Sequence, residues 1–275
     1  MKLYIATDLE GVTGVTGGWT EISPGCREHE FAKKMLTADI NACVKGAFAG
    51  GAEEIVVWDG HGASLSVNVE DVDPRIRLIK GRAIGHLPLL DESFDAMIIL
   101  GMHAKEGEND GVMNGTWTGN GMRLWINGKE VGELGLWMAM AAQIGVPTIM
   151  VTGDTAVEKE AKELVGNIYT CVVKIGLNRY CCEIIHPKKA WGNIEKTAKE
   201  AVSNYKKVAM YNPSKPCELK MQYPIDTQLV DWVSVRPGIK RIDGSTISYV
   251  SDSLKEAVGS VFFINWWNLS DKPMI

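Results

Sequence analysis

Three short, unbroken apolar runs end in residues able to carry charge or bind a metal. Leu3-Tyr4-Ile5-Ala6-Thr7 runs into Asp8-Leu9-Glu10-Gly11, and Ile55-Val56-Val57-Trp58 runs into Asp59-Gly60-His61-Gly62. Ala96-Met97-Ile98-Ile99-Leu100 runs into Gly101-Met102-His103-Ala104. Apolar runs this short, bounded by turn residues, read as strands buried on both faces. Between the first and second, Phe31, Met35, Ile40, Cys43, Val44 and Ala47 recur at helical spacing from about Glu28 to Phe48, and Gly50-Gly51 ends the segment. Strand, helix, strand in that order predicts parallel pairing through a right-handed crossover. Such a sheet collects its ligand site outside the carboxyl ends of its strands, where all three polar tails sit.

The rest of the chain fits the same frame. Met122 to Ile126 alternates and meets Asn127-Gly128, a hairpin signal, with Lys129-Glu130-Val131 as the return strand. Leu134 to Ile144 reads as a helix, Pro147 to Val151 as a strand and Thr155 to Val165 as a charged amphipathic helix. A last long helix is expected over Lys188 to Tyr205, just after Pro187. Asn212-Pro213-Ser214-Lys215-Pro216 reads as a linker, followed by β segments (Leu219 to Tyr223, Thr246 to Val250) and a helix near Ser253 to Phe263. The expected fold is α/β: a mostly parallel central sheet flanked by helices over residues 1–207, with a smaller α+β C-terminal domain over 208–275.

Composition narrows the function classes. The 275 residues are 45% hydrophobic and 23% charged, which is globular usage and excludes intrinsic disorder and a small disulfide scaffold. No apolar run approaches the roughly 18–20 residues that span a bilayer, so no membrane partner is expected. Asp8 and Glu10 interrupt the stretch that a signal peptide would keep apolar. The net charge is −5, with Lys and Arg mixed among acidic residues, so no basic stripe offers itself to nucleic acid. The six cysteines (Cys26, Cys43, Cys171, Cys181, Cys182 and Cys217) form no C-x-x-C pair. They are expected as reduced thiols in a cytoplasmic protein.

If Asp8 to Glu10 stays extended, the two-residue period puts both carboxylates on one face. Asp8, Glu10, His61 and His103 then converge from three strand ends, and Glu133, after the hairpin and at a helix start, is the natural fifth member. Taken singly, each has an ordinary reading: a loop or cap carboxylate, a satisfied histidine, or a Glu133 that complements its helix dipole. The joint pattern is stronger. Two of only five histidines directly follow apolar strands, beside glycine or alanine that let the backbone approach an ion. His29, His86 and His186 lack that context.

Three carboxylates and two neutral imidazoles carry −3, so one divalent ion leaves −1 and two leave +1, which a bridging hydroxide brings to zero. Five ligands for two ions require a shared carboxylate and a shared water, as in binuclear hydrolases. Mixed imidazole and carboxylate donors suit zinc; manganese or iron also fit, and magnesium less so. The expected cofactor is therefore two Zn2+ per subunit, with Mn2+ or Fe2+ as substitutes.

Asp8-Leu9-Glu10-Gly11, Asp59-Gly60-His61, Gly101-Met102-His103-Ala104, Gly111-Val112-Met113 and Gly132-Glu133-Leu134-Gly135 resemble, in order and spacing, the landmarks of the D-aminopeptidases of peptidase family M55. The likeness covers about the first 150 residues and continues through Val151-Thr152-Gly153-Asp154. The resemblance implies that Asp8, Glu10, His61, His103 and Glu133 hold two zinc ions. It also implies release of N-terminal D-amino acids, such as D-alanine, from short peptides by a homodecamer of two stacked pentameric rings.

One position departs from the family. The catalytic histidine is expected shortly after Gly-Val-Met, where this chain reads Asn114-Gly115-Thr116-Trp117, with Gly115 in its place. Glycine cannot transfer a proton, and losing such a group removes about 10²–10⁴-fold in rate. Lys105, His29 or a histidine of a neighbouring subunit are the candidate replacements, and a plain turn is the ordinary reading of Asn114-Gly115. Two alternatives stay open beside the peptidase. One is another binuclear metallohydrolase, an amidase or a phosphoesterase, for which Lys105 and Arg123 are the cations near the motifs. The other is a metal-containing peptide-binding protein with impaired catalysis. The apolar stretch Val261 to Trp267, including Trp266-Trp267, is expected to serve packing or subunit contact.

Overall fold

The computed structural model describes residues 1–83, 85–117, 121–223 and 227–265. In chain order the first half contains β1 (Lys2–Thr7), α1 (Trp19–Ile22), α2 (His29–Ala49), β2 (Glu54–Asp59), β3 (Arg77–Ile79), β4 (Ala96–Leu100), β5 (Arg123–Ile126) and β6 (Lys129–Val131). There follow α3 (Glu133–Ala142), β7 (Thr148–Asp154), α4 (Thr155–Leu164), β8 (Tyr169–Asn178), β9 (Cys181–Ile184) and α5 (Pro187–Ser203). The chain continues through β10 (Cys217–Gln222), α6 (Thr227–Ser234), β11 (Ile239–Arg241), β12 (Thr246–Ser251) and α7 (Leu254–Asn265).

Seven strands form one sheet in the order β3-β2-β1-β4-β7-β8-β9, parallel except where β9 returns against β8. The apolar runs make its centre: Leu3, Tyr4, Ile5, Met97, Ile98 and Ile99 are fully buried. Helix α2 packs against α5, which also covers β8. Local chemistry sets the helix starts. Asp154 Oδ1 accepts the Val157 N–H at 2.9 Å and caps α4. Pro187 opens α5, where its missing N–H is of no consequence.

The second sheet is antiparallel, in the order β11-β12-β10-β5-β6. Asn127 and Gly128 both have positive φ (50° and 79°), the backbone of a two-residue hairpin turn whose twist matches the strands. The Asn127 side chain accepts the Glu218 N–H at 2.8 Å and donates to Ser214 O at 2.8 Å, tying the hairpin to β10. This sheet draws strands from both sides of residue 207.

Several elements that the sequence pattern did not announce are short or polar. β3 and β11 have three residues each and sit at sheet edges, and α1 is a single turn. β8 places the charged Lys174 inside, where apolar periodicity gives no signal. Trp266 and Trp267 lie outside the described residues. Among the described residues, no helix is long and apolar enough to cross a membrane.

Candidate metal centre

Register brings the three strand ends together. Thr7 lies between Asp59 on β2 and Leu100 on β4, so the residues that follow each leave the sheet side by side. Backbone bonds fix the departure: Asp8 N–H donates to Leu100 O (2.8 Å), Gly60 N–H to Thr7 O (3.1 Å) and Gly11 N–H to Gly101 O (2.7 Å). Two glycines make this approach sterically available. A Cβ on Gly11 would stand 1.9 Å from Met102 O, and one on Gly101, whose φ is +69°, would stand 2.4 Å from Asp8 O. Glu133 reaches the same place as the first residue of α3.

The five side chains form one cluster, in which Asp8, His103 and Glu133 are buried and Glu10 and His61 partly so. His61 Nδ1 is 2.9 Å from Asp8 Oδ1 and 3.2 Å from Glu10 Oε2. His103 Nε2 is 3.4 Å from Asp8 Oδ2 and 3.1 Å from Glu133 Oε2. Asp8, Glu10 and His103 present ligand atoms within 4.8 Å of one another. The far nitrogen of each ring is committed to backbone: His61 Nε2 lies 3.0 Å from Ile22 O, and His103 Nδ1 lies 2.9 Å from Ala104 O. Each carbonyl requires an N–H, which leaves each ring's lone pair facing carboxylate oxygens. Lone pair against carboxylate is repulsive unless a proton or a cation lies between them.

Electrostatics carry the same message. Burial, then the charge of Glu10, pushes Asp8 up to about 7. Burial works against charge on Glu10, yet His61 holds its carboxyl low. Burial also works against charge on Glu133, which His103 holds low. Burial opposes protonation of both histidines, but Glu10 and Asp8 around His61, and Glu133 and Asp8 around His103, raise both well above the ordinary range. Glu10 Oε2 is buried and accepts no hydrogen bond within the usual geometry. A divalent cation among these donors removes the repulsion between carboxylates that burial makes severe. The donor set, two nitrogens and three carboxylates, fits a zinc-class ion.

The cluster opens on a cavity of about 340 Å³, whose wall also includes Arg82, Gly115, Trp117, Arg179 and Tyr180. Sequence reasoning missed Arg82, Arg179 and Tyr180; they lie in irregular or hairpin segments with no motif around them. Lys105 and Arg123 are not among the described wall residues: Lys105 pairs with Glu108, and Arg123 Nε is 3.4 Å from Glu130. His29 is buried, and it too is not among the wall residues described. Asp59 serves the fold, accepting the N–H groups of Ser66 (2.7 Å) and Val67 (3.1 Å).

Gly115 is held by its N–H to Ala104 O at 3.0 Å. The buried Asn114 side chain shapes the turn before it, accepting Gly107 N–H and donating to Glu108 O and Gly111 O. Trp117 N–H donates to Glu133 Oε2 at 2.9 Å and so orients that carboxylate. Behind Trp117, His86 stacks at 5.7 Å and accepts the Trp137 indole N–H at 2.9 Å, and burial pushes it down to about 4.

Imidazoles and carboxylates gathered at the carboxyl ends of a mostly parallel α/β sheet, and opening on a cavity, define a metallohydrolase type of centre. The model of the D-aminopeptidase family, peptidase family M55, matches residues 1–262, and the chain belongs to that family. A D-aminopeptidase of Bacillus subtilis (strain 168) is 31% identical over 260 residues, covering 94% of both chains. The solved structure of the Zn-dependent D-aminopeptidase DppA from Bacillus subtilis, described as a self-compartmentalizing protease, matches with a TM-score of 0.90. Its identity is 29%, over 96% of each chain.

Proposed function

We propose that this chain is a zinc-dependent aminopeptidase that releases N-terminal D-amino acids, D-alanine among them, from short peptides. Two zinc ions per chain are assigned to Asp8, Glu10, His61, His103 and Glu133, with manganese or iron able to use the same donors. The observation that carries this reading is the orientation of the two imidazoles, each turned by a backbone carbonyl so that its lone pair faces carboxylates. Family membership favours a peptide over an amide or phosphoester substrate. Zinc at such a site polarises a carbonyl and lowers the pKa of a bound water.

The chain's own groups do the rest. The two oxygens of Asp8 face different histidines, which suits Asp8 to bridge. Trp117 N–H fixes Glu133, and Trp117 with its His86 backing forms an aromatic wall beside it. Gly115, on the cavity wall, offers no side chain that could transfer a proton.

Assembly into two stacked pentameric rings, closing the sites inside a compartment, follows from the family resemblance. A cytoplasmic setting agrees with six cysteines that are all free. The stereochemical test is release of alanine from D-alanyl and L-alanyl dipeptides. Preferential release of D-alanine supports the proposal, and release of L-alanine alone refutes it. Light scattering checks the assembly: a mass near that of one 30.1 kDa chain contradicts a decamer.

A further inference from the structure

We propose that Lys174 is a positioning residue for the metal centre, acting through the backbone of the loop that carries Asp8 and Glu10. Its side chain is fully buried in the middle of β8. The ammonium meets three backbone carbonyls: Glu10 O at 2.5 Å, Val12 O at 3.2 Å and Val15 O at 2.6 Å. An ammonium has three N–H donors, and each is matched by one acceptor. Among the described residues, no carboxylate lies within ion-pairing distance of it. This is a whole charge committed to one loop.

That loop needs it. Residues 9 to 17 form neither strand nor helix, so their carbonyls have no ladder to join, and a buried carbonyl without a donor is destabilising. Two buried carboxylates serve the opposite polarity of the same loop. Asp39 Oδ2, on α2, accepts Thr13 N–H at 3.0 Å, and Glu21 Oε2, on α1, accepts Thr16 N–H at 2.6 Å and also Gly17 N–H. A cation gathers the carbonyls and two anions gather the amides. The carbonyl most tightly held by Lys174 is that of Glu10, whose carboxylate is 3.2 Å from His61 Nδ1. Groups bonded directly to metal ligands typically change metal affinity about 10–100-fold when removed, and Lys174 acts one step further back, through the Glu10 backbone.

The inference rests on the assignment of Glu10 as a zinc ligand, and the test separates the two. Lys174→Met, Lys174→Gln (which keeps two donors) and Leu219→Ala, a core truncation in the second sheet, are compared with the parent protein. Zinc affinity is measured by chelator competition, the visible spectrum of the cobalt-substituted protein is recorded, and thermal midpoints are taken without metal. The expected result is zinc affinity at least tenfold weaker in Lys174→Met, with an altered cobalt spectrum and an intermediate effect in Lys174→Gln. Leu219→Ala should lose stability but keep the parent's affinity and spectrum. If Lys174→Met does not fold, Lys174→Gln alone decides by the same two readouts. Parent-like affinity and spectrum in the Lys174 variants overturn the inference while leaving the zinc assignment standing. A parent protein that binds no zinc overturns both.

Discussion

Asp8 Oδ1 stands 2.9 Å from His61 Nδ1, across the boundary between β1 and β2. Its other oxygen faces the second imidazole, so this carboxylate occupies the middle of the cluster. Asp8→Ala is therefore expected to abolish binding of both zinc ions, whereas His61→Ala and His103→Ala should each retain about one ion per chain. Metal analysis after exhaustive dialysis checks this. Equal, partial loss in all three variants contradicts the bridging role.

Gly11 has no room for a side chain. A Cβ there would lie 1.9 Å from Met102 O and 2.6 Å from Gly101 C, which are backbone atoms that cannot rotate away. Gly11→Ala must push the Asp8 loop from the His103 loop, with an expected destabilisation of about 3 kcal/mol or more. Zinc binding should weaken in parallel. Urea unfolding with and without zinc reads both effects, and an unchanged midpoint would show that the two loops separate freely.

Much of this was readable from the sequence, for a physical reason. β1, β2 and β4 are buried on both faces, so they appear as unbroken apolar runs, and their polar ends stand out. Asn127-Gly128 announced its hairpin because few residue pairs accept positive φ. Lys174 stayed hidden because its partners are carbonyls of residues 10 to 15, and backbone groups leave no trace in side-chain pattern. Arg82 and Arg179 reach the cavity from segments whose course is set by packing, not by periodicity. His86 read as an ordinary histidine because its neighbours Trp117 and Trp137 meet it only in the folded chain.

His86 gives the protein an acid-sensitive support. Its pKa falls from 6.5 to about 4 on burial, so the folded protein keeps it neutral where the unfolded chain takes up a proton. Stability contributed by neutral His86 is complete above pH 6.5 and is lost as the pH falls toward 4, by up to about 3 kcal/mol. His86→Phe keeps a ring against Trp117 but cannot titrate. The stability gap between parent and variant should therefore narrow as the pH drops through this window. A gap independent of pH between 4 and 7 contradicts the assignment.

Gly115 is not among the described residues with left-handed φ, so its φ does not itself oppose a side chain. Gly115→His would place an imidazole on the cavity wall and is expected to raise kcat on D-alanyl dipeptides at least tenfold, about 1.4 kcal/mol off the barrier. Zinc content should not change. A slower variant at full zinc occupancy shows that another group already transfers the proton.

The most direct test of the account is a zinc titration of metal-free protein, with D-alanine release from a D-alanyl dipeptide as the readout. Negligible release is expected without metal, with a rise on adding zinc and saturation at two equivalents per chain. Release that persists without metal, or a protein that stays inactive on D-alanyl dipeptides with two zinc ions bound, would contradict it.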